Sequence, residues 1–209
     1  MSSIKSEPKP RIVAPSLKRK RQNTLFSFFS SKKAKQAFFG VEKIISGGQC
    51  GADQGALEAA YDLKIATGGF APANFRTEKG SNSELQTKYN LVAINSSDYT
   101  KRTRMNVDNS DGTIAFRFHK SRGTDKTIGY AQTKKWTDGK IKSMNRTETQ
   151  YKPVCVVTQV QDEKEAAQCI REFIQTNRLK VLNVAGHRES QSKDLSGRVK
   201  RILKSALAD

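Results

Sequence analysis

The sequence predicts an α/β domain, a mostly parallel sheet with helices on both faces, carried behind a basic tail. Three observations lead there. From Val41 onward, over the last 169 of 209 residues, short apolar runs alternate with helical patterns; that alternation implies βαβ units and a sheet covered on both sides. Residues 1–40 hold ten Lys/Arg and one acid, Glu7, which is half of the formal charge of +18. Three of the five prolines (Pro8, Pro10, Pro15) also fall there, a composition with too little apolar surface to offset chain entropy. The expected division is a disordered basic tail, 1–40, and a folded domain, 41–209.

The elements follow in order. Val41–Ser46 reads as a buried strand closed by Gly47-Gly48, and Ala52–Leu63 as a helix, with Ala56, Leu57, Ala60 and Leu63 at helical spacing. Leu91–Asn95 and Thr113–Phe118 are further apolar runs, and Thr124–Lys134 is expected to be helical. Pro153–Thr158 is a β-branched strand. Asp162–Thr176 places Ala166, Ile170, Phe173 and Ile174 on one helical face. Lys180–Ala185 is the last strand, and Leu195, Val199, Ile202 and Leu203 mark a closing helix. The polar, basic stretch Lys134–Lys152 reads as a surface loop.

Composition excludes several classes. No run approaches the roughly 18 apolar residues of a membrane span, so no membrane role is expected. No apolar segment follows the basic residues as a secretory signal requires, and the Pro-broken, Lys-dominated tail fits a mitochondrial presequence poorly. Cys50, Cys155 and Cys169 form no paired spacing and suit a reducing compartment. With only His119 and His187 beside them, no metal site is expected.

The tail carries a short motif, Gln22-Asn23-Thr24-Leu25-Phe26-Ser27-Phe28-Phe29. Three phenylalanines in four positions are out of place in a solvated segment. One reading is a latch onto the chain's own domain. The other comes from the spacing: Gln at i, Leu at i+3 and aromatics at i+6 and i+7 gather one aliphatic and two aromatic side chains in a single helical turn. The motif resembles the PIP box, by which proteins dock on the replication sliding clamp, proliferating cell nuclear antigen (PCNA). That resemblance makes Leu25, Phe28 and Phe29 an apolar plug and Gln22 a hydrogen-bonding partner, a few anchors offsetting the ordering cost of a peptide. Lys18, Arg19, Lys20 and Arg21 read either as a solvated charge cluster or as a nuclear localisation signal. Beside a clamp motif, residence in the nucleus is the expectation, with a role in DNA replication or repair.

Two glycine turns stand at expected strand ends. The first, Ser46–Asp53, runs Gly47-Gly48-Gln49-Cys50-Gly51 into a helix, and the second, His119–Thr127, contains Ser121, Gly123, Thr124 and Thr127. Such turns let backbone N–H groups approach an anion at a helix N-terminus. Two at the carboxyl ends of parallel strands would border one crevice. The plainer alternative is a pair of ordinary capped turns. Arg188, beyond the last strand, is the expected phosphate partner there. The polar set Arg102, Thr103, Asn106, Ser110 and Asp111 would contact a ligand or neighbouring subunit, or cap a helix and a turn. Cys50 at a helix start and the carboxylates Asp53 and Glu58 are candidates for catalysis; a buried inert thiol is the commoner outcome for Cys50, and dipole-suited charges explain the carboxylates equally.

The run KIISGGQCGADQGALEAAYDLKIATGGFAP, followed by SSDYTKRTRMNVDNSDGTIAF, SRGTDKT, KPVCVV and KVLNVAGHRES, resembles the family called putative molybdenum carrier proteins, related to the LOG (lysine-decarboxylase-like) proteins. The resemblance covers about residues 41–205. It implies a Rossmann-like fold, a homo-oligomer, and a crevice for a phosphate-bearing ligand; the two turns and the end of the last strand place that ligand at Gly47, Gly48, Gln49, Gly51, Asp53, Ser121, Gly123, Thr124, Thr127 and Arg188. Molybdenum cofactor or a nucleotide would be the ligand. The wider superfamily includes enzymes cleaving nucleotide N-glycosidic bonds, so the expectations are three: a clamp-docked nuclear protein whose domain binds a nucleotide-like ligand, a clamp-tethered nucleotide hydrolase (N-glycosidase or phosphohydrolase), or a cofactor carrier. Secondary contact with DNA would run through Lys134, Lys135, Lys140 and Lys142.

Overall fold

The structure, a computed structural model, describes residues 40–96, 98–133 and 152–208. The clamp-like motif at 22–29, the basic run at 18–21 and the loop lysines Lys134, Lys135, Lys140 and Lys142 lie outside the described residues. The chain divides into units 1–35 and 36–209, and all the described residues belong to the second.

The elements are β1 (Lys43–Ser46), α1 (Ala52–Asp62), β2 (Ala66–Ala71), β3 (Arg76–Thr77), β4 (Gly80–Ser81), α2 (Glu84–Thr87), β5 (Leu91–Ala93), α3 (Tyr99–Asp108), β6 (Gly112–Phe116), α4 (Arg122–Thr133), β7 (Val154–Val157), α5 (Glu163–Asn177), β8 (Val181–Gly186) and α6 (Leu195–Leu207). Six strands form one sheet in the order β5-β2-β1-β8-β6-β7, and every pairing in it is parallel. β3 and β4 make a small separate hairpin. Helices α1, α5 and α6 pack together, and α3 packs with α4 against β2 and β6. That layering is what right-handed crossovers require. Leftward steps (β1 to β2, β7 to β8) put their helices on one face, and rightward steps (β5 to β6, β6 to β7) put theirs on the other.

Two elements depart from the sequence expectation. β2, with the sequence ATGGFA, has no counterpart among the expected strands, and paired glycines are poor strand formers. Its position explains them: Gly69 has φ +125, and a Cβ there would collide with the Ser46 backbone of β1. α3 was expected only as a polar stretch between strands. It is held by Asp98, whose carboxylate caps the Thr100 N–H at 2.7 Å, and by buried Asn106. The Asn106 amide accepts from Phe70 N–H at 2.7 Å and donates to Phe70 O at 3.2 Å, so a side chain completes the pairing of β2.

The main core lies between the sheet and α1, α5 and α6, built from Ile44, Ile114, Phe116, Leu182 and Val184 against Ile170, Ile174, Val199 and Leu203. Each large side chain so buried contributes about 1.5–3 kcal/mol. α1 approaches α6 closely through Gly55, which faces the Ser196 backbone. α5 starts in a capping box: Asp162 accepts from the Lys164 and Glu165 N–H groups at 2.8 Å each, and the Glu165 carboxylate accepts from Asp162 N–H. A second cluster (Leu57, Leu85, Tyr89, Leu91) supports the β1–α1 turn. No helix among the described residues is long and apolar enough to cross a membrane.

Candidate functional site

After β8 the chain turns to α6 on one face of the sheet, and after β6 it turns to α4 on the other. The strand ends therefore open into a crevice, the place where doubly wound sheets take ligands. The crevice holds about 720 Å³. Its walls come from the β1–α1 turn (Gln49, Asp53), the first half of α3 (Tyr99 to Arg104), α4 (Ser121 to Tyr130) and the end of β8 (Gly186, Arg188).

Of the residues expected from sequence, Gln49, Asp53, Ser121, Gly123, Thr124, Thr127 and Arg188 line this one crevice. Gly47, Gly48 and Gly51 do not; they shape the wall behind it. A Cβ on Gly47 would collide with the Arg102 guanidinium, one on Gly48 would press Leu85 and Leu91 at 2.8 and 2.9 Å, and one on Gly51 would meet His187 O at 2.6 Å. The first turn is thus shaped by close approach of the protein to itself, with an arginine lying over its first glycine.

Asp53 is 5% exposed at the start of α1, accepting from Gln49 N–H at 3.2 Å and from Arg102 Nη1 at 3.4 Å. Burial pushes its carboxyl above the ordinary aspartate range, and the Arg102 charge opposes that shift. Arg102 Nε is buried with no acceptor among the described residues. Gln49 ties the turn to its surroundings: its Oε1 accepts from Cys50 N–H at 3.1 Å and from Glu78 N–H at 2.7 Å. Cys50 is buried and its Sγ accepts from Gln54 Nε2 at 3.6 Å, and it does not line the crevice. At the second turn Ser121 Oγ caps α4, accepting from Thr124 N–H at 3.4 Å and from Thr124 Oγ1 at 3.2 Å. The remaining first-turn N–H groups of α4 have no intrahelical partner by helix geometry, and that end of the helix faces the crevice.

The lining is strongly cationic. Arg102, Arg104, Arg122, Lys126 and Arg188 stand against one carboxylate, Asp53, among the described residues. Two tyrosines interleave with them. Arg102 and Arg188 lie over the Tyr99 ring at 5.8 and 5.9 Å, and Arg104 over the Tyr130 ring at 5.3 Å. Tyr99, Arg104, Arg122, Lys126 and Tyr130 were not among the expected site residues. The available signal was Asp98 as a helix cap before Tyr99-Thr100-Lys101-Arg102, with Tyr99, Arg102 and Thr103 falling on one helical face. Asp111 and Ser110, from the same polar set, serve the fold: the Asp111 carboxylate accepts from Lys180 and Val181 N–H at 3.0 and 2.7 Å. Asn183 is likewise internal, donating to Thr113 Oγ1. No group of three His, Cys, Asp or Glu among the described residues is placed to hold a metal ion.

Sheet topology and the crevice at the strand ends together define a doubly wound α/β protein of the Rossmann-like kind. More narrowly, the chain belongs to the circularly permutated YpsA SLOG family, which it matches over residues 44–207. It is similar to a protein from Syntrophus aciditrophicus SB described as a putative molybdenum carrier protein. The crystal structure of that protein matches with a TM-score of 0.68 at 30% identity, covering 81% of this chain and 96% of that one. No curated protein matches the chain.

Proposed function

We propose that the domain binds a phosphate-bearing, nucleotide-like ligand in the crevice, and that the N-terminal tail carries it to the sliding clamp, PCNA, in the nucleus. The observation supporting the first half is the lining: five basic side chains, a helix N-terminus and two tyrosines around one carboxylate. Arginine forks suit phosphate oxygens, and tyrosine rings offer a face to a planar base. The unsatisfied Arg102 Nε is one more donor beside this wall. The test is titration of the full chain with nucleoside mono- and diphosphates, the parent nucleosides and inorganic phosphate. Saturable binding of nucleotides but not nucleosides supports the proposal, and no binding of any of them refutes it.

The same donor set fits the phosphate and flat ring of molybdenum cofactor, a reading favoured by the likeness to the Syntrophus protein. There Arg102, Arg122, Lys126 and Arg188 would hold the phosphate and Tyr99 or Tyr130 the ring. Bound, the cofactor would supply redox chemistry at its metal. No thiol lines the crevice. A hydrolase reading rests on Asp53, whose carboxyl burial moves toward the protonated form, as a proton donor needs; loss of a nucleoside monophosphate on incubation tests it.

The clamp half rests on Gln22, Leu25, Phe28 and Phe29, with Lys18–Arg21 as the import signal. Placing the domain at replication or repair sites would bring its basic surface near DNA, so a weak, salt-sensitive DNA contact accompanies this reading. A peptide spanning residues 16–36 is expected to bind PCNA, and Phe28→Ala with Phe29→Ala to abolish binding. Unchanged binding by the double variant removes the clamp from the proposal.

A further inference from the structure

The chain has two histidines, and the fold brings them into direct contact beside the crevice. His187, 1% exposed, follows β8, and His119 follows β6 on the surface. Their rings meet edge to face, with centroids 4.0 Å apart and Nε2 of His187 2.9 Å from Nδ1 of His119. The outer nitrogens face carbonyls: His187 Nδ1 lies 3.1 Å from Phe116 O, and His119 Nε2 lies 3.2 Å from Gln191 O.

The proton count follows from these partners. A carbonyl oxygen only accepts, so His187 Nδ1 and His119 Nε2 must each carry hydrogen. The bond between the rings needs a third. Three N–H groups on four ring nitrogens is one more than two neutral imidazoles possess. His187 is buried and its Nδ1–H is committed to Phe116, so within the pair His187 Nε2 is the acceptor and His119 Nδ1 the donor. Burial holds His187 below the ordinary histidine range, in keeping with that order.

Three charged side chains nearby have other partners. Arg117, from the end of β6, is engaged by Asp125 of α4 at 2.5 Å. Arg198 of α6 lies over the Phe118 ring at 4.5 Å, and that ring stacks on His187. The Glu189 carboxylate accepts from Ser196 N–H at 2.8 Å. Lys120 is exposed next to His119, and its carbonyl lies 3.4 Å from His119 Nδ1, longer than the ring-to-ring bond.

Gln191 closes the short helical turn Glu189–Gln191 and lines the crevice. We propose that His119 and His187 hold one proton beyond those of two neutral rings, and that this proton fastens the Glu189–Gln191 wall of the crevice to the end of β6. When the proton leaves, the bond from His119 to Gln191 O is lost and the wall loses its tie to the β6 side, while Glu189 N–H keeps its bond to Cys50 O and Ser190 its bonds to the Glu78 carboxylate.

Two measurements on the full chain test this, and neither uses a ligand, so their failure is separate from failure of the crevice reading. With histidine-selective 15N labelling, only four ring nitrogens contribute. The expected acid form has one ring with both nitrogens protonated and one with a bare Nε2, and a single proton leaves as pH rises. Two rings that both become imidazolium in the folded protein, or two that stay neutral, overturn the proposal. Amide hydrogen exchange at residues 189–192, corrected for pH, should speed up about tenfold as the proton leaves, the scale of one charged hydrogen bond. In His119→Gln that dependence should vanish while His187 keeps its Nδ1–H. An unchanged pH dependence in the variant overturns the coupling to the wall.

Discussion

Arg188 offers a clean test of the crevice. Its side chain is exposed at the crevice rim and lies over Tyr99, while its backbone is pinned by the bridge to Gly51 and by Glu189 N–H donating to Cys50 O at 3.1 Å. Arg188→Ala therefore removes the guanidinium and leaves the turn in place. A hydrogen bond to a charged group contributes about 1.5–3 kcal/mol, and partial solvation at an exposed rim lowers that to about 1–2 kcal/mol. At about 1.4 kcal/mol per tenfold, nucleotide affinity should fall about five- to thirtyfold. Part of the loss should disappear at high salt as screening weakens the wild-type contact. The control is Arg201→Ala, which removes the same charge from α6, where Arg201 is paired with Glu163 and Asp194. Calorimetric titration with a nucleoside diphosphate reads both. Wild-type affinity in Arg188→Ala, or an equal loss in Arg201→Ala, would mean that net charge rather than the crevice holds the ligand.

Further outcomes follow from packing and titration. Gly55→Ala gains about 1 kcal/mol of helix propensity but drives a Cβ into the Ser196 backbone. Overpacking costs about 1–3 kcal/mol, so urea denaturation should show a net loss; a stabilised variant would refute the close α1–α6 contact. Asn106→Leu strands the Phe70 N–H and C=O groups and should cost at least about 2 kcal/mol, read by the same assay, with a neutral result counting against the described β2–α3 tie. His187 is held neutral by burial, so its contribution is present above the ordinary histidine value of 6.5 and is lost as pH falls. With one proton fewer bound than in the unfolded chain, stability should fall by up to about 1.4 kcal/mol per pH unit on the acid side. His187→Asn should flatten that slope, and an unchanged slope would show that another group carries it.

Legibility from the sequence tracked how local the determining physics is. Strands such as Pro153–Thr158 and helices such as Asp162–Thr176 announce themselves by period and cap, and each lies within a few residues of its expected bounds. β2 was hidden because its glycines answer to β1, a partner distant in sequence, and not to strand propensity. α3 was hidden because its polar residues are spent on long-range bonds: Asn106 on Phe70, Arg102 on Asp53. The crevice was legible as two turns at strand ends. Its cations were less so, since Arg104, Arg122 and Lys126 become neighbours of Arg188 only when α3 and α4 pack on the same face of the sheet. The histidine pair had no signal at all: residues 119 and 187 are joined by the adjacency of β6 and β8.

The central proposal, that the crevice holds a phosphate-bearing ligand, is tested most directly by native mass spectrometry of the purified full chain, before and after incubation with nucleotides. The expected spectrum shows a mass excess that leaves on denaturation and contains phosphorus, reduced in Arg188→Ala. A bare chain mass under both conditions, in wild-type protein with an intact fold, would contradict it.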